Sequence, residues 1–159
     1  MAEHTIKQFD LELDDLKSRV LLMGGIVEQQ MRMAMQGLYG ADINLLTQVE
    51  QGDVRLNEAE LQLDLVCNQL IAKRQPTAID LRVVIGVQKT GLELEKAGNK
   101  ALKIARIARS LHEKHPLFTP NVELRHMSED ALDMMRRALD AFARADSMAA
   151  TDVLQADDL

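Results

Sequence analysis

The stretch Ile71-Ala-Lys-Arg-Gln-Pro-Thr-Ala-Ile-Asp-Leu-Arg82 decides the fold. Lys73 and Arg74 close a long periodic segment, where cations suit the negative end of a helix. Pro76 cannot continue that helix and drives Gln75 out of helical geometry. Thr77 then opens the next segment as an N-cap, with Asp80 three residues on. The twelve residues therefore predict a tight hinge between two long helices.

On either side of the hinge the apolar residues keep a helical period. Upstream, Val49, Gly52, Leu56, Ala59, Leu63, Val66 and Leu70 form one seam, and Asp42 or Asn44 is a suitable start for this second helix. Downstream, Val84, Val87, Gly91, Leu94, Gly98, Ala101, Ala105 and Ala108 form another, predicting a third helix from Thr77 to about His112. Its small residues leave room for a neighbouring helix or for a bound group. A first helix from about Thr5 to Tyr39 carries Phe9, Leu13, Leu16, Val20, Met23 and Val27, extended by Met31, Ala34 and Leu38. His115-Pro116 and Thr119-Pro120 mark a linker. A fourth helix follows from Val122 to about Ala143 on Met127, Ala131, Met134, Ala138 and Phe142, and a fifth begins near Ser147.

The expected fold is all-α, an antiparallel up-down bundle. Composition agrees. Of 159 residues, 47% are hydrophobic and only 3% aromatic, with nine Met, eight Gly and three Pro, a balance that favours helices over sheet. An internal repeat at an offset of 104 pairs Met23 with Met127, Arg32 with Arg136, Ala41-Asp42 with Ala145-Asp146, and Val49 with Val153. The reading is two copies of a three-helix unit. Residues 1–114 are the first, 115–121 the linker, and 122–159 the start of an incomplete second. An incomplete second copy would leave apolar surface on helix four, which self-association would cover.

A net charge of −6 without a basic block argues against nucleic acid as a ligand. The lone Cys67 excludes an internal disulfide framework and suits a reducing compartment. Acids by residue 10 argue against a signal peptide, and no window is apolar enough for a membrane span. A cytoplasmic protein is expected. His4, His112, His115 and His126 fall near a terminus or the linker, and no phosphate loop, nucleophile elbow or Cys–His pair is present, so no enzyme activity is expected.

Helix two carries a second stripe beside its seam: Asp53, Asn57, Glu60 and Asp64, spaced four, three, four and so on one face. Helix three offers Glu95 and Asn99 one turn apart. Such oxygen clusters suit hard cations, and carboxylates on facing helices build metal sites in bundles. Acids at this spacing also make an ordinary solvated face. Glu60 and Asp64 repel at i, i+4 by a few tenths of a kcal/mol, roughly, which a cation would relieve. Near the hinge, Lys73, Arg74 and Arg82 form a cluster that is either a partner contact or helix punctuation.

The hinge string strongly resembles the mid-domain signature of the PhoU family, the phosphate-specific transport system accessory proteins. Met23-Gly-Gly-Ile-Val-Glu28 looks like the family's first-helix motif, and Gly52-Asp53 with Asn57, Glu60 and Asp64 like its second. Glu95-Lys-Ala-Gly-Asn99 is similar to its third, with Asn99 where the family pattern has aspartate. The resemblance implies PhoU-type three-helix repeats and a cytoplasmic, often dimeric, non-enzymatic regulator. It implies restraint of phosphate uptake and phosphate-starvation signalling when phosphate is plentiful. The implied partners are the ATPase subunit of a phosphate ABC importer and a phosphate-sensing histidine kinase. Some members hold multinuclear metal clusters, divalent or iron-type. The matching positions here are Asp53 and Asn57, Glu60 and Asp64, Glu95 and Asn99. A carboxylate-rich metal-binding bundle without the signalling role is the alternative.

Overall fold

The structure, a computed structural model, describes the backbone of residues 2–115 and 117–157 and the side chains of residues 8–115 and 117–156. Pro116 of the linker and the side chain of His4 lie outside the described residues. The described residues form five helices: α1 Ala2–Gly40, α2 Ile43–Arg74, α3 Ala78–Lys114, α4 Val122–Arg144 and α5 Ser147–Asp157. Of the described residues 91% are helical and none is in a strand.

The three apolar seams meet. Leu16, Val20, Met23 and Val27 of α1 pack with Leu56, Leu63, Cys67 and Leu70 of α2 and with Val84, Val87 and Leu94 of α3. A second cluster, nearer the α1–α2 turn, joins Ala34, Met35, Leu38, Leu46, Val49, Ala105 and Ala108. Full burial of each Leu or Val stabilises by about 1.5–3 kcal/mol, so these rows are what holds the helices together. Every residue of the predicted α3 seam is buried. Leu63 sits against Gly91 and Leu56 against Gly98, so the small residues let α2 and α3 approach closely.

At the hinge Gln75 takes the left-handed conformation, φ 46° and ψ 58°, and its N–H donates to the Ile71 carbonyl at 2.9 Å. It caps α2 in the way a C′ residue does. Thr77 occupies the N-cap position of α3 without a side-chain cap, and its hydroxyl donates instead to Asp80 Oδ2 at 3.5 Å. The hinge is fastened to α1 by Arg74, whose Nε and Nη2 donate to Glu12 Oε2 and Oε1, both at 2.8 Å.

The two hairpin turns repeat at the offset seen in the sequence. Ala41 and Ala145 both have φ 51°. Asp42 then accepts from the N–H groups of Asn44 and Leu45, and Asp146 from that of Ala149. The helices that follow begin at Ile43 and Ser147, again 104 residues apart.

Helix α4 departs from expectation. Of the predicted stripe, Phe142 packs against the main core and Met134 is half-buried, but Met127 is 66% exposed and Ala131 and Ala138 are exposed too. The edge that packs is Leu132 with Met135, Leu139 and Phe142, the last three against the main core. Gly24 of α1 leaves a notch that Leu139 fills. The bulkier row buries more apolar area than the Met/Ala row, so it takes the inner position. The linker is pinned beside it. The Tyr39 hydroxyl donates to the Asn121 carbonyl at 2.6 Å, and the Arg125 guanidinium lies 4.4 Å from the Tyr39 ring centre.

Candidate functional site

The α2 acids and the α3 pair share one margin of the bundle, where the antiparallel α2 and α3 run side by side. Position along the helix decides what each acid meets. Asp64 accepts from Asn68 Nδ2 at 2.9 Å on its own helix and from Gln88 Nε2 of α3 at 2.8 Å. Gln88 Nε2 also reaches Asn68 Oδ1 at 3.2 Å, so one amide ties two α2 residues to α3. Glu95 accepts from Asn99 Nδ2 at 2.6 Å. Asp53 Oδ2 accepts from Asn57 Nδ2 at 3.4 Å, while its Oδ1 is buried without a partner.

Glu60 lies between these pairs. Burial pushes its carboxyl above the usual carboxylate range, and the charges of Asp64 and Glu95 push it the same way. An acid so placed resists ionisation, and in its protonated form it can donate a hydrogen bond. The structure thus brings Glu60, Asp64 and Glu95 into one electrostatic neighbourhood, with Asn99 attached to Glu95 and the Asp53–Asn57 pair further along α2. Among the described residues no three His, Cys, Asp or Glu side chains come close enough to hold a metal ion together. The donor set is therefore a series of carboxylate–amide pairs rather than a cage.

The hinge cations divide by exposure. The Arg74 side chain is 18% exposed and committed to Glu12. The hydrogen bond to Glu12 raises the Arg74 pKa further above its ordinary value. In return, the Arg74 hydrogen bond, aided by the charges of Arg74 and Lys73, holds Glu12 below the usual carboxylate range against a smaller opposing effect of burial. Lys73 approaches Glu12 at 3.5 Å yet remains 67% exposed, and Arg82 is exposed. Lys73 and Arg82 are the cations the hinge presents outward.

The sequence reading missed three things. Asn68 and Gln88 complete the Asp64 network; the recurring carboxylate–Asn spacing of four (Asp53/Asn57, Asp64/Asn68, Glu95/Asn99) was the signal for Asn68, while Gln88, on another helix, had none. Gln30 is a buried polar residue in the apolar stripe of α1, legible only as a break in its period. Glu123 and His126 stand at Glu-x-x-His spacing at the start of α4. Both are exposed, and Glu123 Oε2 accepts from Asn121 Nδ2 at 3.1 Å. Cys67 is fully buried, and burial first, with the Asp64 charge second, pushes its thiol up to about 11.

Comparison with known proteins follows the same residues. The family model described as PhoU domain matches residues 20–108, most of α1 through α3. A phosphate-specific transport system accessory protein PhoU homolog from Pseudomonas putida is 41% identical over 157 residues, covering 99% of this chain and 61% of that protein. The PhoU of Escherichia coli (strain K12) is 40% identical over 148 residues, 92% of this chain and 60% of that one. The crystal structure of PhoU from Pseudomonas aeruginosa superposes with a TM-score of 0.88 at 41% identity, over 94% of this chain and 72% of that chain. That of the phosphate transport system regulatory protein PhoU from Streptococcus pneumoniae gives 0.86 at 27%, over 94% and 70%. The chain spans about three fifths of the length of these curated relatives. No helix among the described residues is long and apolar enough to cross a membrane. Matched over more than half its length by the family model, and sharing both fold and hinge-bearing helices with these relatives, the chain belongs to the PhoU family.

Proposed function

We propose that this chain forms part of a non-enzymatic, cytoplasmic adaptor that restrains phosphate uptake and phosphate-starvation signalling through protein contacts. Its partners in this reading are the ATPase subunit of a phosphate importer and a phosphate-sensing histidine kinase. Residues 1–114 are the first PhoU repeat, 115–121 the linker and 122–159 the opening of a second, and the protein works as a homodimer. The observation that carries the reading is the PhoU-domain match across α1–α3, which includes the whole hinge. The outward cations Lys73 and Arg82 are the contact residues at the hinge, and Arg74 positions them by holding it against α1. A strain lacking the gene should express alkaline phosphatase and take up phosphate even in phosphate-rich medium. Normal repression in that strain would contradict the proposal.

One observation favours a second reading, in which Glu60, Asp64 and Glu95 of the α2–α3 margin draw together around a hard cation, with Asp53, Asn57 and Asn99 alongside. Burial first, then the charges of Asp64 and Glu95, push the Glu60 carboxyl up, and a cation would offset the part due to those charges. Metal analysis after incubation with Fe, Mn, Mg and Ca decides it. Stoichiometric metal lost in Glu60→Gln supports the reading, and metal-free protein removes it.

A further inference from the structure

Gln30 is the one buried polar side chain of the helical core among the described residues, 5% exposed, and neither end of its amide has a protein partner. A buried amide left unpaired is costly, so its surroundings are informative. Its Nε2 lies over Gly52 of α2, where an added Cβ would sit 3.3 Å away, and its Oε1 points toward Gly98 of α3. Gly52 also lines a cleft of about 260 Å³ between α1 and α2. The polar lining is Gln29, Gln30, Gln48, Gln51 and Arg55, and two apolar side chains complete it. No carboxylate is among the lining residues. No described Asp or Glu forms an ion pair with Arg55.

A cleft with a buried, unpaired amide just behind its inner wall, a guanidinium without an ion pair among the described residues and three further amides is chemically complementary to an oxyanion that draws the Gln30 N–H outward. Guanidinium and amide N–H groups donate to carboxylate or oxyanion oxygens, and charge-assisted bonds of this kind are the strong ones. The volume is ample for a small anion. Asp53, next to Gly52 on α2, keeps its carboxylate outside the lining, but its charge beside the cleft disfavours a multiply charged guest. We propose that the α1–α2 cleft is a binding site for a small, singly charged oxyanion, held by Arg55 and the Gln30, Gln48 and Gln51 amides. The site borders Asp53 but includes none of Glu60, Asp64 and Glu95, lies away from the hinge, and stands or falls independently of the regulatory reading.

The test is a titration of the ¹⁵N-labelled protein followed by NMR of the glutamine side-chain amides and the Arg55 Nε–H. Sodium acetate and inorganic phosphate below neutral pH are the probes, and sodium chloride controls for ionic strength. At least one probe should give saturable shifts centred on Gln30, Gln51 and Arg55. Saturation by acetate alone identifies a carboxylate guest, by phosphate alone an inorganic one. Arg55→Ala, on the surface and tolerated by the fold, should weaken that binding about tenfold or more. Lys73→Ala, at the distant hinge, should leave it unchanged. Gln30→Leu should abolish the saturable shifts while keeping the fold, and if that variant fails to fold, Arg55→Ala carries the test. Shifts that match those from chloride, or saturation unaltered by Arg55→Ala, would overturn the proposal.

Discussion

Glu28 of α1 and Arg136 of α4 meet across 108 residues of sequence, Arg136 Nη2 donating to Glu28 Oε1 at 2.8 Å and Nε to the same oxygen at 3.0 Å. Arg32, the residue that the repeat pairs with Arg136, donates to that oxygen from α1 at 2.9 Å. One carboxylate thus gathers the two equivalent arginines of the repeat and fastens α4 to the first three helices. The pair is half exposed, so its worth is small. Arg136→Ala should cost about 0.5–1 kcal/mol. The loss should show as faster amide hydrogen exchange in α4 than in α2 or α3, and unchanged α4 protection would contradict this role.

Two glycines of α3 should respond in opposite senses to the same substitution. A Cβ at Gly86 meets nothing within 4 Å, so Gly86→Ala should stabilise by up to about 1 kcal/mol through helix propensity. At Gly98 it would collide with Leu56 and press on Gln30 Oε1 at 3.1 Å, in a packed core. Gly98→Ala should therefore destabilise by about 1–3 kcal/mol despite the same propensity gain. Urea midpoints of the two variants check the signs.

Glu12 and Glu60 should give pH dependences of opposite sign. The folded pKa of Glu12 is depressed below its ordinary 4.5, so the stability from its pairing with Arg74 is fully present above that value. It is lost as pH falls through the folded pKa. Glu12→Gln should be less stable than the parent at neutral pH and converge with it in acid. The folded pKa of Glu60 is raised above 4.5, so its ionised form weakens the fold at neutral pH and the penalty fades as pH falls toward 4.5. Glu60→Gln should therefore be the more stable protein at neutral pH, with the gain vanishing in acid. Thermal melts across that range measure both.

Cys67 should be inert in the native protein. A thiol fully buried in the core and pushed up to about 11 offers almost no thiolate near neutral pH. Iodoacetamide labelling should track global unfolding in denaturant, and fast labelling of native protein would show that the core opens locally.

Much of the fold was legible because its apolar rows are long and regular. The α3 seam is buried residue for residue, and the hinge follows directly from Pro76 and its flanking caps. Helix α4 was less legible for a physical reason. It carries two apolar rows, and the larger side chains of one, with the notch at Gly24 that receives Leu139, select between them. The acidic margin could be placed on one helix face by spacing alone. What spacing could not show was that Gln88, from another helix, already occupies Asp64, or that Glu12 engages Arg74. Those pairings depend on how far one helix slides along its neighbour, which period does not encode.

The most direct test of the regulatory account is co-purification from phosphate-replete cells with the tagged, full-length protein as bait. The importer's ATPase subunit should be retained by the parent protein and lost with Lys73→Glu combined with Arg82→Glu, at unchanged helix content. Recovery of neither the ATPase subunit nor the sensor kinase with the parent protein would contradict the account.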